Sequence, residues 1–322
     1  MRVGLLVVDE MVDSGYAVVR DVLDAANVLA PRLQLPEPLV HVRSYGLSDT
    51  VTTSHGMTLR PTPWQQVHDD RPDVLVTPSM GLLTPPAVVD AVRDHAVLAD
   101  VLSLHEAGVS LAGACSGTFF LAEAGVLDGR NSTTSWWLGP AFRARYPRVD
   151  LDERQALAVD GDITKAGAAF AHIDLAMSLV HRISPALSDL VGSYLAVGDR
   201  PRQGEMIVPS VLAAADPVLS AFDRYVRDNL ARPFQVGDAA QALGISERTL
   251  QRATSGALGL PPIRYVQQVR IDHAVHLLRT TDRSLDRIAE TVGYRDAATL
   301  RNLIRRRRGA TVSELRRRTR GS

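Results

Sequence analysis

The 322-residue sequence contains a single cysteine, Cys115, and a single lysine, Lys165. One cysteine excludes an internal disulfide and fits a reducing compartment, so a cytoplasmic setting is expected. No apolar run approaches the length of a membrane span, and the stretch at residues 3–8 is too short for a signal-peptide core and lacks a cleavage site. No membrane partner is therefore expected. Clusters with metal-ligand spacing and phosphate-binding glycine loops are also missing, so no cofactor is expected. His172 and Asp174, two residues apart near a helix start, would face different ways and are not a shared metal site. The sequence does have the makings of folded structure: 45% hydrophobic and 22% charged residues are ordinary for a globular protein, and the length suggests two domains.

The formal net charge of zero hides a segregation. Residues 216–322 hold 20 Arg against 11 Asp and Glu, a net +9, and residues 1–215 hold 16 Lys and Arg against 25 acids, a net −9. High-GC coding would explain arginine over lysine. It would not explain why the excess sits in one part, where it points to a polyanionic partner.

The acidic part alternates short apolar runs with helical stretches. Residues 3–8, 40–45, 74–77 and 109–114 read as strands, and residues 16–29, 85–107 and 168–181 as helices, with Asp160-Gly161-Asp162 as a turn. This alternation predicts an α/β domain with a mostly parallel sheet over residues 1–198. The polar, turn-rich run from Gly198 to Gly204 opens a linker placed at 199–215. Asp216-Pro217 then looks like an N-cap followed by proline at the first helical position, with Val218, Leu219, Phe222, Val226 and Leu230 as an apolar stripe.

Within the all-α domain expected at 216–322, residues 238–243 form a short helix, Gly244-Ile245-Ser246 a turn and residues 247–255 a second helix. Ala239, Ala240, Leu243, Ile245 and Leu250 supply the packing face, Gly244 suits a positive φ and Ser246 suits an N-cap. That is helix-turn-helix spacing, whose second helix enters the major groove of DNA. Its outward Arg248, Gln251 and Arg252 can read guanine or adenine edges. The pattern recurs 49 residues later: a helix at 285–292, a turn from Gly293 to Asp296 and a helix at 297–308. A spacer helix at 262–278, with Val266, Val269, Ala274 and Leu277 inward, would present both reading helices to successive major-groove turns. The DNA-contacting set is then Ser246, Arg248, Gln251 and Arg252 in the first unit, and Arg295, Ala298, Thr299, Arg301, Asn302, Arg305 and Arg306 in the second. The arginine runs at 305–308 and 316–318 would neutralise phosphates. With Ala297 and Ala298 at its start, the second helix is expected to read fewer bases.

This region resembles the AraC-type regulators. The likeness lies in Ile245-Ser246-Glu247-Arg248-Thr249-Leu250-Gln251-Arg252, Arg279-Thr280-Thr281-Asp282, Ile288-Ala289 and Val292-Gly293-Tyr294. It implies a DNA-binding transcription regulator with double-stranded DNA as partner. Paired half-sites further suggest a homodimer, held through the α/β domain.

In the acidic part, the run Val109-Ser110-Leu111-Ala112-Gly113-Ala114-Cys115-Ser116-Gly117-Thr118 reads as a strand, a turn of small residues and a helix. Such a sequence permits the strained elbow that exposes a nucleophile. Cys115 at a helix N-terminus would favour thiolate. Spacing alone supports equally a reactive thiol and a buried small hydrophobe. With Leu121-Ala122-Glu123-Ala124-Gly125-Val126-Leu127-Asp128-Gly129-Arg130, Thr133-Thr134-Ser135-Trp136, Ala166-Gly167 and Ile173-Asp174-Leu175, the region resembles the flavodoxin-like PfpI branch of the class I glutamine amidotransferase-like superfamily. More narrowly, it is similar to the sensor half of GlxA-type regulators. Enzymes of that superfamily often carry histidine after the cysteine, where this chain has Ser116. The regulators usually carry histidine before the tryptophan, where it has Ser135. The departures favour a non-catalytic pocket for a small-molecule effector, with Cys115, Ser116, Ser135, Trp136 and Asp13 as pocket candidates and His55 as a further lining residue. A cysteine-dependent hydrolase or hydratase with an appended DNA-binding domain is the alternative. A plain dimerisation scaffold is a third reading.

Overall fold

The apolar run near the N-terminus forms β1 (Arg2–Leu6), in which Val3, Leu5 and Leu6 are almost wholly buried. This computed structural model describes residues 1–35, 38–197, 217–258, 260–308 and 311–320. The chain divides into two units, Met1–Met206 and Ile207–Ser322. The linker expected at 199–215 and the Asp216 cap lie outside the described residues.

In the first unit α1 (Asp13–Leu29) follows β1. Then come β2 (His41–Gly46), β3 (Val51–Thr52), β4 (Thr58–Leu59), β5 (Thr62–Pro63), α2 (Gln66–Asp70) and β6 (Val74–Thr77). Next are α3 (Pro85–Val92), α4 (Leu98–Glu106), β7 (Ser110–Ala114), α5 (Gly117–Glu123), β8 (Asn131–Ser132), α6 (Gly139–Arg145) and β9 (Asp150–Leu151). The unit closes with β10 (Leu157–Asp160), β11 (Ile163–Ala166), α7 (His172–Ile183) and α8 (Pro185–Tyr194). Seven strands pair in the order β10-β11-β7-β6-β1-β2-β5. All neighbours are parallel except β10 and β11, an antiparallel hairpin closed at the expected Asp160–Asp162 turn. Strand pleating sends alternate side chains to opposite faces. Val3, Leu5, Val74, Val76 and Ala112 meet α1, α7 and α8, while Leu6, Leu75, Leu111 and Ile163 meet α3 to α6. Helices cover both faces, which is why the central strands are mostly apolar.

Two expectations need correcting. The helix expected over 85–107 is two helices, because Arg93 leaves helical geometry (ψ 128°) and Asp94 takes φ +53°. The helix expected from Ala168 begins at His172, after a short 3-10 turn at Ala169–Ala171. The preceding Gly167 donates its N–H to the Ala156 carbonyl at 2.9 Å.

The second unit contains α9 (Pro217–Asp228), α10 (Val236–Ala242), α11 (Glu247–Leu258), α12 (Pro262–Thr280), α13 (Leu285–Thr291), α14 (Ala297–Arg308) and α15 (Val312–Arg320). It has two cores. Phe222, Val226, Ala239, Ala240, Leu250, Tyr265, Val266 and Val269 make one. Ile271, Ala274, Leu278, Ile288, Val292, Leu300, Ile304 and Leu315 are in the other. The long α12 contributes its first half to one core and its second half to the other. Among the described residues, no helix is long and apolar enough to cross a membrane.

Candidate effector pocket and DNA-reading surface

The sheet reverses its winding between β1 and β6, and the segments leaving the carboxyl ends of β1, β6, β7 and β11 surround a cavity of roughly 750 Å³. Clefts at such switch points are where open α/β sheets hold ligands. Val12, Met80, Leu82, Trp136, Trp137 and Phe170 give the wall its apolar character, and Cys115, Ser135, Ser54, His55 and Asp174 add polar groups.

Cys115 sits at the elbow between β7 and α5 with φ +55°, left-handed backbone that a side chain rarely adopts. Hydroxyls hold it there: Thr118 Oγ1 and Thr134 Oγ1 both donate to its carbonyl, at 2.7 and 2.8 Å. The elbow also needs glycine at its edge. A β-carbon on Gly117 would lie 2.8 Å from the Thr77 carbonyl oxygen and 3.0 Å from that of Pro78. The Cys115 thiol donates to Ser135 Oγ at 3.2 Å. Burial pushes this thiol above its ordinary range, although the hydroxyls of Ser135, Ser79 and Ser116 pull the other way. Of the two readings that spacing left equal, the burial of the thiol favours the small buried hydrophobe over the thiolate, because desolvation outweighs those donors.

Of the five pocket candidates, Cys115, Ser135 and Trp136 line the cavity and two do not. Ser116 is buried behind the wall, where its hydroxyl accepts from the Met80 N–H at 2.7 Å. Asp13, the first residue of α1, stands behind His55 and accepts from Thr53 Oγ1 at 2.5 Å. His55 Nδ1 lies 2.8 Å from Asp13 Oδ2 and 3.1 Å from Ser54 Oγ. The Thr53 hydroxyl, above all, and then His55 bring the Asp13 carboxyl down to about 2. His172 is buried against Gly15 of α1 and shares a 3.2 Å hydrogen bond with Ser79 Oγ, whereas Asp174 reaches the cavity. Sequence reasoning passed over Phe170 and Leu83, which are 64% and 90% exposed at the cavity yet carry no local polar signal.

In the second unit each short helix pair turns at a glycine of positive φ, Gly244 (+66°) and Gly293 (+79°). Ser246 caps α11 by accepting from the Thr249 N–H at 3.1 Å, and Asp296 caps α14 by accepting from the Thr299 N–H at 2.6 Å. The second turn is one residue longer, so the caps are 50 residues apart and the glycines 49. Aligned on caps and on the buried Leu250 and Leu300, the exposed positions correspond as Arg248 to Ala298, Gln251 to Arg301 and Arg252 to Asn302. Arg295, Thr299, Arg305 and Arg306 are exposed as well. Ala297, expected at the reading surface, is 8% exposed and packs inward, while Arg301 stands on the outward stripe with Ala298, Asn302 and Arg305. Arg316, expected on phosphate, instead donates from a guanidinium N–H to the Arg283 carbonyl at 2.5 Å. The side chains of Arg308, Arg317 and Arg318 lie outside the described residues.

Comparison with known proteins agrees with this organisation. Residues 1–182 match the model of the DJ-1/PfpI family, and residues 239–318 match a helix-turn-helix domain. The chain is 26% identical to the HTH-type transcriptional regulator GlxA of Rhizobium meliloti, over 99% of this chain and 96% of that protein. It is 24% identical to the HTH-type transcriptional regulator ArgR of Pseudomonas aeruginosa, over 99% of this chain and 94% of that one. Drosophila melanogaster DJ-1beta shares the fold, with a TM-score of 0.50 and 19% identity over 62% of this chain and 98% of that chain. The parallel-sheet fold and the likeness to GlxA-type regulators expected from the motifs are both borne out. By its first unit the chain belongs to the DJ-1/PfpI family, and it joins that fold to a helix-turn-helix domain.

Proposed function

We propose that this protein is a sequence-specific transcription regulator of the cytoplasm. Residues 216–322 bind duplex DNA, residues 1–198 hold a small-molecule effector and dimerise, and residues 199–215 link the two. The observation that carries the reading is the pair of helix-turn-helix units, each with a positive-φ glycine, a capped second helix, a buried leucine at one register and an exposed polar stripe at the next. In this reading Arg248, Gln251, Arg252, Arg301 and Asn302 address base edges. Ser246, Arg295, Thr299, Arg305 and Arg306 address the backbone, and Ala298 can meet a thymine methyl.

The cavity is a binding pocket and not an active site. A cysteine nucleophile needs a base within hydrogen-bond reach, and the partners of this thiol are serine hydroxyls and the Ser116 backbone N–H. Burial further suppresses its thiolate. Among the described residues the wall carries Asp174 and His55 but no Arg or Lys, so a neutral or cationic effector with an apolar body fits better than a small carboxylic acid. Selecting duplexes from sheared genomic DNA with the full chain tests the regulator, because enrichment of discrete sites is expected and uniform recovery contradicts it. A thermal-shift screen of amines, neutral metabolites and carboxylates tests the pocket. Stabilisation by carboxylates alone would overturn the effector class, and multiple turnover dependent on Cys115 would overturn the non-catalytic reading.

A further inference from the structure

The two helix-turn-helix units are joined by α12, and one side chain at its crossover between the cores belongs to neither. Val266 and Val269 pack in the first core, Ile271 and Ala274 in the second, and Arg270 stands between them. Its guanidinium donates through Nη2 to the carbonyl of Arg232, in the loop after α9, at 2.5 Å. Through Nη1 it donates to the carbonyl of Gly293, in the turn of the second unit, at 3.3 Å. The same guanidinium lies 5.8 Å from the centroid of the Tyr294 ring, and its Nε is buried without a hydrogen-bond partner. Gly293 is pressed into this junction: a β-carbon there would collide with the Leu230 carbonyl and lie 2.8 Å from Arg270 Nη2. Gly244, the corresponding glycine of the first helix-turn-helix, has nothing within 4 Å of such a carbon. The first glycine thus serves backbone conformation alone, whereas the second also serves a contact between the two helix-turn-helix motifs.

We propose that Arg270 is a positioning residue, a clasp that fixes the orientation of the second reading head relative to the first and so sets the base-pair spacing the protein accepts. A planar guanidinium suits the task, because its two Nη atoms sit in a fixed fork that spans two carbonyls, whereas a lysine ammonium presents all its donors from one atom on a flexible stem. One inserted base pair turns the second half-site by about 35° and moves it about 3.4 Å along the duplex. A clasped pair of heads cannot follow that displacement without losing contacts, and an unclasped pair can.

The inference rests on the DNA-binding reading, and the test separates the two. The full chain is given its best duplex by selection, then duplexes with one or two base pairs inserted between the two groups protected in footprinting. The wild type should lose about tenfold or more in affinity on the first insertion, the scale of one to a few spoiled base contacts. Arg270→Ala should bind the uninterrupted site a few-fold more weakly and discriminate between spacings by less than about threefold. Arg270→Lys keeps the charge and should behave like the alanine variant. If alanine prevents folding, as judged by circular dichroism, Arg270→Gln keeps part of the apolar stem and one amide donor group, too short to bridge both carbonyls, and reads the same discrimination. Wild-type spacing discrimination in a folded Arg270→Ala or Arg270→Gln chain, or in Arg270→Lys, overturns the clasp alone. A wild-type chain that selects no duplex overturns the regulator reading on which the clasp rests.

Discussion

Replacing Lys165 by methionine should stabilise the first unit at neutral pH, and the gain should shrink as pH rises. Lys165 lies on β11 opposite Gly113 of β7 and Ala158 of β10, and its side chain is wholly buried. Its ammonium donates to the Ile163 carbonyl at 3.1 Å. Burial lowers its pKa to about 8, against attraction from Asp160 and Asp162 and with added repulsion from Arg130. A lysine whose folded pKa lies below its unfolded value of 10.5 opposes folding fully below about pH 8 and ceases to oppose it as pH climbs past 10.5. Integrating between those values gives a penalty of about 3 kcal/mol at pH 7 and about 1 kcal/mol at pH 10. The lost hydrogen bond to Ile163 offsets about 1 kcal/mol of this. Lys165→Met should therefore be about 2 kcal/mol more stable than wild type at pH 7 and close to it at pH 10. Urea unfolding followed by tryptophan fluorescence is the assay. All three tryptophans, Trp64, Trp136 and Trp137, are in the first unit, so the signal reports that unit. A methionine variant less stable at pH 7, or a difference constant from pH 7 to 10, refutes the reasoning.

Other outcomes follow from the site. Because burial raises the Cys115 thiol, iodoacetamide should alkylate it more slowly than free cysteine at pH 7 and speed up as pH rises; a rate that has already levelled off by pH 7 contradicts this. Asp13 is held at about 2 chiefly by Thr53, so its stabilising contribution is present above its ordinary value of 3.8 and lost as pH falls toward 2. Thr53→Val should raise the Asp13 pKa in a carboxyl NMR titration more than His55→Ala does, and the reverse order would contradict that ranking. On the selected site, Arg252→Ala should cost about 1–3 kcal/mol and relax preference at one base position, with Asn302→Ala costing less. A larger loss of specificity from Asn302→Ala than from Arg252→Ala removes that asymmetry.

Local patterns were the legible part of this molecule. Apolar runs such as residues 74–77 matched strands because both faces of the sheet are covered, and Gly244 with Ser246 carried a turn and a cap within three residues. The elbow at Cys115 was likewise written in consecutive small residues, and its φ of +55° is what they permit. Long-range contacts were not legible. Nothing near Asp13 announces that Thr53 and His55, some 40 residues on, will meet its carboxylate. Ser116 looked like a pocket residue by adjacency to Cys115, but the first turn of α5 rotates it inward onto Met80. The break between α3 and α4 depends on backbone angles at Arg93 and Asp94, residues of ordinary helix propensity. The extra residue in the second turn shifts α14 by one position relative to the glycines, which the Ser246 and Asp296 caps and the buried Leu250 and Leu300 reveal.

The most direct measurement of the central claim is the affinity of the full chain for its best selected duplex and for an unrelated duplex of equal length, across a salt series. The account predicts binding to both that falls steeply with salt as condensed counterions are released. The selected duplex should hold a preference of about a thousandfold or more at physiological salt, and Arg248→Ala and Arg252→Ala should erode that preference. Equal affinity for the two duplexes, or none for either at low salt from a folded chain, contradicts it.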